Sequence, residues 1–359
     1  MRQDILKSQV IQQDMENIFH RDLPVEDLFG RTILITGATG MLASYLVYYL
    51  IWLNDVQDAK IRIIALVRSE KKGSQRFGQY ASAPYFVMRT DDICSSLNID
   101  EPIDYIIHAA SLASPQYYGP NPVEVSGPNV LGTYYLLQLA RQKAVRGFLF
   151  FSTGDVYGKM PQDAGNFSED QIGIMDPLNE HSCYGESKRM GENWCASFAR
   201  EYHVPTRSVR ITHTYAPTMD IDHDPRVFAS FMKCLMNQQD IIMLSDGTAK
   251  RPFCYIADAV AAFLLILLKG ENGQAYNMSN EYEFLSIGEL ADTLVTLDPR
   301  KHLKVVRKQR PKDDVYMENK ANRGNCPSSA KLRSLGWTCE YDVRHGFSQV
   351  LRYLKEKEC

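Results

Sequence analysis

Apolar strands alternating with helices, and a glycine-rich turn between the first strand and the first helix, predict an α/β fold with a doubly wound parallel sheet. At 359 residues the chain has room for such a sheet and for a smaller mixed α/β lobe after it. Residues 1–29 predict a helical extension, because Ile5, Val10, Ile11, Met15, Ile18 and Phe19 recur at the spacing of one helix face, and Gly30 ends it. RTILIT (31–36) is a short buried strand, followed by a helix over 41–53. IRIIALV (61–67), DYIIHAAS (104–111) and GFLFFST (147–153) are the next strands. Helices are predicted between and after them, over 121–143 and 184–202. Beyond residue 205 the segments TRSVRIT, IIMLS, YNMSN and LKVVR mix with helices near 227–238, 256–269 and 286–296. The chain therefore divides into the extension, a sheet domain over 30–204, and a lobe over 205–359 that returns to the sheet where strands permit.

Composition narrows the function classes. With 45% hydrophobic and 23% charged residues, the chain has the make-up of an ordinary globular protein. A net charge of -3, without a basic stripe interleaved with aromatics, points away from nucleic acid. The eight cysteines form no CxxC pair and no zinc spacing, so no metal site is expected and the thiols act as small apolar groups in a reducing compartment. The charged N-terminus lacks an apolar signal core, and the longest apolar run, AVAAFLLILL (259–268), is about half of a bilayer span. A soluble, cytoplasmic protein without a membrane partner is expected.

Three motifs carry chemistry. Thr36-Gly37-Ala38-Thr39-Gly40-Met41-Leu42-Ala43 lies between a strand and a helix. Its small residues permit a tight turn and a close backbone approach by a pyrophosphate, which then faces the amides of the helix N-terminus. Gly37, Thr39, Gly40, Met41 and Leu42 are therefore candidate contacts of a dinucleotide. At the end of the second strand, where an acid favours NAD and an arginine suits the extra phosphate of NADP, stands Arg68, followed by Lys71 and Lys72. NAD is expected and NADP stays open. Tyr184 and Lys188, four residues apart, share one helix face. An ammonium there stabilises phenolate and draws the tyrosine toward general-base duty, and Lys188 can also hold the nicotinamide ribose. Ser152 and Thr153, ending the strand before it, would bring hydroxyls beside the same group.

TGATGMLA, IIHAAS, FFSTGDVYG and YGESK, in this order, resemble the extended short-chain dehydrogenase/reductases, the NAD-dependent epimerase/dehydratase family, over residues 30–340. The resemblance implies a Rossmann domain over 30–204 and a nucleotide-sugar-binding lobe over 205–359. It adds Ala109, Ala110 and Ser111 to the cofactor contacts. LASPQYYGPNP (112–122), DPLNEHSCYGESKR (176–189), TYAPTMDIDHDPRVFASF (214–231), GTAKRPFCYIADAV (247–260) and SLGW (334–337) are most similar to the UDP-glucuronate decarboxylases.

By that resemblance Tyr184 deprotonates the sugar C4 hydroxyl, Lys188 tunes it, Thr153 hydrogen-bonds the hydroxyl, and Asp155 stands where the decarboxylases carry glutamate. Gly154 occupies the place of the dehydratases' aspartate, which removes support for dehydration. Tyr117, Tyr118, His213, Arg226, Arg251 and Arg323 are the implied substrate contacts; a guanidinium fork suits a diphosphate. The expected protein is a homodimer in which helices 121–143 and 184–202, with Val130, Tyr134, Leu137, Leu139, Trp194, Phe198 and Tyr202, form a four-helix bundle. Decarboxylation is the leading reaction; 4-epimerisation, 4,6-dehydration and NADPH-dependent reduction of a nucleotide-linked ketose are the alternatives. A dinucleotide sensor without catalysis would lack the tyrosine or the lysine, and both are present.

Overall fold

The computed structural model describes residues 4–161, 164–298, 302–308 and 325–358. Arg323 lies outside them. Strands β1 (Thr32–Thr36), β2 (Arg62–Val67), β3 (Phe86–Thr90), β4 (Tyr105–His108) and β5 (Gly147–Thr153) form the first part of a parallel sheet. A two-residue strand, β6 (Asn166–Phe167), lies apart, and β7 (Thr206–Ile211) returns to the sheet beside β5. The remaining strands are β8 (His213–Tyr215), β9 (Ile241–Met243), β10 (Lys250–Tyr255), β11 (Gln274–Met278), β12 (Phe284–Ser286), β13 (Val305–Arg307) and β14 (Cys326–Pro327). The large sheet has the order β11-β7-β5-β4-β1-β2-β3, so the chain reverses direction across it between β1 and β4. Such a switch point opens a crevice at the carboxyl ends of the strands.

The sheet is covered on both faces, and the side-chain alternation of β1 shows why. Ile33 and Ile35 point into one core, with α2 (Met41–Gln57) and later helices. Leu34 points into the other. The helices that follow are α3 (Glu70–Phe77), α4 (Pro122–Gly127), α5 (Thr133–Lys143), α6 (Ser182–Tyr202), α7 (Val227–Met236), α8 (Ile256–Lys269), α9 (Ile287–Val295), α10 (Ala330–Arg333) and α11 (Val343–Glu358). Phe148 and Phe150 of β5 meet Leu136, Leu137, Cys195 and Phe198 of α5 and α6 on the second face. Of the four mixed C-terminal segments, TRSVRIT and YNMSN became β7 and β11 of the large sheet, whereas IIMLS and LKVVR pair with each other as β9 and β13.

Several elements differ from the sequence expectation, among them the following. The extension is not one helix: it holds a 3-10 turn (Ile5–Lys7), helix α1 (Gln9–Phe19) and a second turn (Val25–Leu28). The helix predicted over 121–143 is divided by a π-turn at Pro128–Gly132, which widens the backbone at Asn129. Strand β3 was not anticipated, because FVMRT is a sheet edge with mostly half-exposed side chains and no continuous apolar run. Helix α11 was not anticipated either; its Phe347 stacks on Tyr215 with ring centroids 3.9 Å apart. Among the described residues no helix is long and apolar enough to cross a membrane.

Candidate active site

The glycine turn sits where the switch point opens. Gly37 has φ +63, and a Cβ there would lie 2.6 Å from Ala110 Cα and 3.0 Å from Ala109 C, so the turn packs directly on the end of β4. Gly40 caps α2 without any side chain, and the half-exposed Thr39, Met41 and Leu42 leave the helix N-terminus open. Ser111 Oγ, just beyond β4, is buried with no hydrogen-bond partner among the described residues. A turn with no Cβ, an uncapped helix start and an orphaned hydroxyl are what a dinucleotide pyrophosphate and its riboses require, and the residues present fit that group. Arg68 is exposed at the end of β2, and its charge reaches the Cys94 thiol in the loop after β3.

A buried histidine ties this turn to the rest of the site. The Pro128 carbonyl can only accept, so His108 Nε2 carries the proton and donates to it at 3.1 Å. Nδ1 then accepts from the Thr36 hydroxyl at 2.9 Å. Burial, and secondarily the Lys188 charge, hold this imidazole neutral at a pKa of about 3. His108 thereby links β1 to the π-turn. There Asn129, fully buried, donates to Val125 O and to Ser187 Oγ, both at 3.0 Å.

Helix α6 carries Tyr184 and Lys188 toward β5. Tyr184 is 7% exposed and hydrogen-bonded to Thr153, and its ring stacks on Tyr118 with centroids 5.1 Å apart. Lys188 is 1% exposed and donates to Phe151 O at 2.6 Å. Burial lowers its pKa to about 7, against an opposing pull from Glu192. The expectation that the ammonium draws Tyr184 down does not describe the chain by itself. Burial, and then Asp155, push the phenol well above its ordinary value, while Thr153 pulls it back.

Asp155, Arg251, His213 and Arg226, which the resemblance assigns to the substrate, lie near one another. Asp155 is crowded by protein but open to solvent along the cleft; burial raises its carboxyl and Arg251 opposes the rise. His213 likewise reaches solvent, yet crowding and the charges of Arg251 and Arg226 lower its pKa to about 3, which leaves it neutral near pH 7. Arg226 is bound by Asp224 at 2.5 to 3.0 Å, donates to Thr214 O at 3.0 Å, and lies over the Phe228 ring. Its fork is thus already engaged with a carboxylate. Tyr117 is 37% exposed in the 3-10 turn that precedes Tyr118. Ser152 points to the other side of β5 from Thr153, where it donates to Glu192 at 2.5 Å.

Asn129 and Glu192 were missed in the sequence. Glu192 continues the Tyr184–Lys188 spacing by four more residues, a visible signal; Asn129 gave none, because only the π-turn reveals it.

The fold and the cleft together define a dinucleotide-binding α/β protein in which a threonine at the end of β5 meets a tyrosine and a lysine of α6. Comparison with known proteins sharpens this. The model of the NAD dependent epimerase/dehydratase family matches residues 33–279, more than half of the chain, and the chain belongs to that family. UDP-glucuronic acid decarboxylase 6 of Arabidopsis thaliana is 31% identical over 319 residues, covering 88% of this chain and 86% of the relative. The dTDP-D-glucose 4,6-dehydratase of Mus musculus is 26% identical, with 91% and 90% covered. Among solved structures, the UDP-glucuronic acid 4-epimerase of Bacillus cereus, in complex with UDP-glucuronic acid and NAD, superposes with a TM-score of 0.73 at 22% identity, over 90% of this chain and 99% of that one. The UDP-glucose 4-epimerase of Thermotoga maritima gives 0.75 at 22%, with 91% and 100% covered. These two structures share the fold.

Proposed function

We propose that this protein is an NAD-dependent, UDP-glucuronate decarboxylase-like enzyme that oxidises its nucleotide sugar transiently at C4. The observation that carries the reading is the cleft itself: Thr153 at the end of β5 and Asp155 in the 3-10 turn after it lie beside Tyr184 and Lys188 of α6, with Arg251 next to Asp155. NAD would be held by Gly37, Thr39, Gly40, Met41 and Leu42 at its pyrophosphate, by Ala109, Ala110, Ser111 and Arg68 along its length, and by Lys188 at the nicotinamide ribose. When bound, it supplies a hydride acceptor and a positive charge, and returns the hydride at the end of the cycle.

Tyr184 takes the proton of the C4 hydroxyl, which Thr153 orients by a hydrogen bond. Lys188, charged and fixed by Phe151 O, favours the phenolate against burial and Asp155. A C4 ketone is β to the C5 carboxylate, so it accepts the electron pair released as carbon dioxide leaves. Gly154 offers no acid for expulsion of a hydroxyl, which favours carbon dioxide over water as the leaving group. Asp155 manages the proton that replaces carbon dioxide at C5. Arg251 and Arg226 would bind the diphosphate, Arg226 on release of Asp224. Tyr117, Tyr118 and His213 line the sugar site. By family resemblance the enzyme is a homodimeric lyase, paired through α4 to α6, and its charged N-terminal segment, without an apolar signal core, supports a cytoplasmic location; Val123 and Leu131, 82% and 50% exposed, mark the face to be covered.

Purified protein incubated with a panel of nucleotide sugars and NAD or NADPH tests the reading. UDP-glucuronate should lose the mass of carbon dioxide, with light scattering of the same sample reporting two chains. An unchanged mass with an altered sugar indicates 4-epimerisation, loss of water indicates 4,6-dehydration, and a gain of two hydrogens with NADPH indicates a reductase. Any of the last three overturns decarboxylation, and a single-chain mass overturns the dimer.

A further inference from the structure

Behind the catalytic strand lies a charged cluster that the proposed mechanism does not use. Glu192 sits one helical turn after Lys188 on α6, so the two side chains share a face. Its carboxylate is held on two sides: Ser152 donates to Oε1 at 2.5 Å, and Arg210 of β7 donates to both oxygens at 2.7 to 3.2 Å. The Glu192 and Arg210 side chains are 14% and 8% exposed. Arg210 is pinned in turn by Tyr157 Oη, which it meets at 2.9 Å, and by Glu169 O at 2.7 Å. Tyr157 then donates to Asn277 Oδ1 of β11 at 2.5 Å. The carboxylate cannot swing away from α6 without breaking several buried bonds.

We infer that Glu192 is a positioning residue that keeps Lys188 charged inside the protein, and that Ser152 and Arg210 hold it to that task. The reasoning is electrostatic. Lys188 is nine-tenths buried or more, and its ammonium finds one neutral carbonyl, Phe151 O, and the face of the Phe150 ring. Neither offsets the loss of hydration of a full charge. The groups around it are Glu192 and Cys195 on its own helix, Tyr184 one turn earlier, His108 on β4, and Arg210 behind Glu192 on β7. His108 is neutral and Cys195 is a buried thiol whose pKa burial pushes up, so among the described residues Glu192 is the carboxylate that supports the ammonium. Burial depresses Lys188 to about 7 even with this help, so the margin is narrow at neutral pH. Arg210 holds the carboxylate in place, at the expense of part of its field.

This inference rests on the proposed role of Lys188 in holding the nicotinamide ribose and charging the site, and its test separates the two. The pH dependence of UDP-glucuronate turnover, and of NAD affinity without sugar, is measured for wild type, Glu192→Gln and Glu192→Asp. The protonated lysine is the active form, so activity and affinity are lost as pH rises through its pKa. Glu192→Gln keeps the shape and removes the charge; its alkaline limb should move to lower pH by about one unit or more, and Glu192→Asp should bring it back toward wild type. A purely structural role would lower thermal stability and leave the limb in place, which overturns the inference. Should Glu192→Gln not fold because Arg210 is left unpaired, the double variant Glu192→Gln/Arg210→Gln removes both charges, and its limb must move in the same direction by less. Wild type without UDP-glucuronate turnover contradicts the proposed function, while the NAD limb still reads Lys188.

Discussion

Gly37 and Gly30 share a left-handed backbone, with φ of +63 and +68, yet only one of them faces a wall. Around Gly30 no heavy atom lies within 4 Å of an added Cβ, whereas at Gly37 the nearest backbone atom is 2.6 Å away. Gly30→Ala should therefore lose about 1 kcal/mol from backbone strain, with NAD affinity unchanged. Gly37→Ala must also push the turn away from Ala110, and calorimetric titration should show NAD binding weakened at least tenfold, about 1.4 kcal/mol. Equal affinities for the two variants would mean that the turn does not carry the pyrophosphate. Residue by residue, the sequence exposed what depends on short spacing: the glycines, Tyr184 with Lys188, and the strand end at Thr153. It concealed what depends on which way a side chain turns. Ser152 and Thr153 are neighbours with opposite faces of β5, and Arg226 is already clasped by Asp224, a pairing within its own loop that a search for phosphate-binding arginines passes over.

Helix α1 shows how an element that looks peripheral becomes part of the core. Val10, Ile11, Met15 and Ile18 are fully buried, and so is Asp14 among them. The Asp14 carboxyl accepts from Tyr45 of α2, from Tyr255 at 2.7 Å and from Tyr341 at 3.3 Å. Nearby, Arg21 pairs with buried Asp258 of α8 at 2.7 Å, so the extension is fastened to the end of β10, to α8 and to the approach to α11. Burial raises Asp14 from 3.8 to about 7, although the three phenols favour its ionised form. The folded protein thus holds this proton where the unfolded chain has released it. The stability that this proton gives is complete below about pH 4 and is lost as pH rises to about 7. Asp14→Asn keeps an acceptor without the charge, so urea unfolding midpoints across that window should decline less steeply than in wild type. An unchanged slope would show that Asp14 does not titrate there. The apolar periodicity of α1 was legible in the sequence; its buried carboxylate was not, since its three phenols come from positions far along the chain. The π-turn at Pro128–Gly132 opens on a proline, but its fastening to His108 is not visible along the segment itself.

At the scale of the whole molecule, the strand order places the glycine turn of β1, the end of β4 and the Thr153 end of β5 on one rim, and α6 brings Tyr184 to it. The alternation of strands and helices announced this arrangement. The edge strand β3 and the late helix α11 did not show, because each draws its place from partners outside its own segment: β2 for the former, Tyr215 and its neighbours for the latter. The central claim is that Tyr184 opens oxidation at C4 of a nucleotide sugar at this rim, with the same hydrogen returned to the product. The direct measurement is the turnover of UDP-glucuronate deuterated at C4, by wild type and by Tyr184→Phe with NAD, followed by mass spectrometry. Wild type should release carbon dioxide and keep the deuterium, and Tyr184→Phe, which retains the ring stacked on Tyr118, should slow the reaction by roughly a hundred- to ten-thousandfold. Near-normal turnover by the variant, or product stripped of its deuterium, would contradict the account.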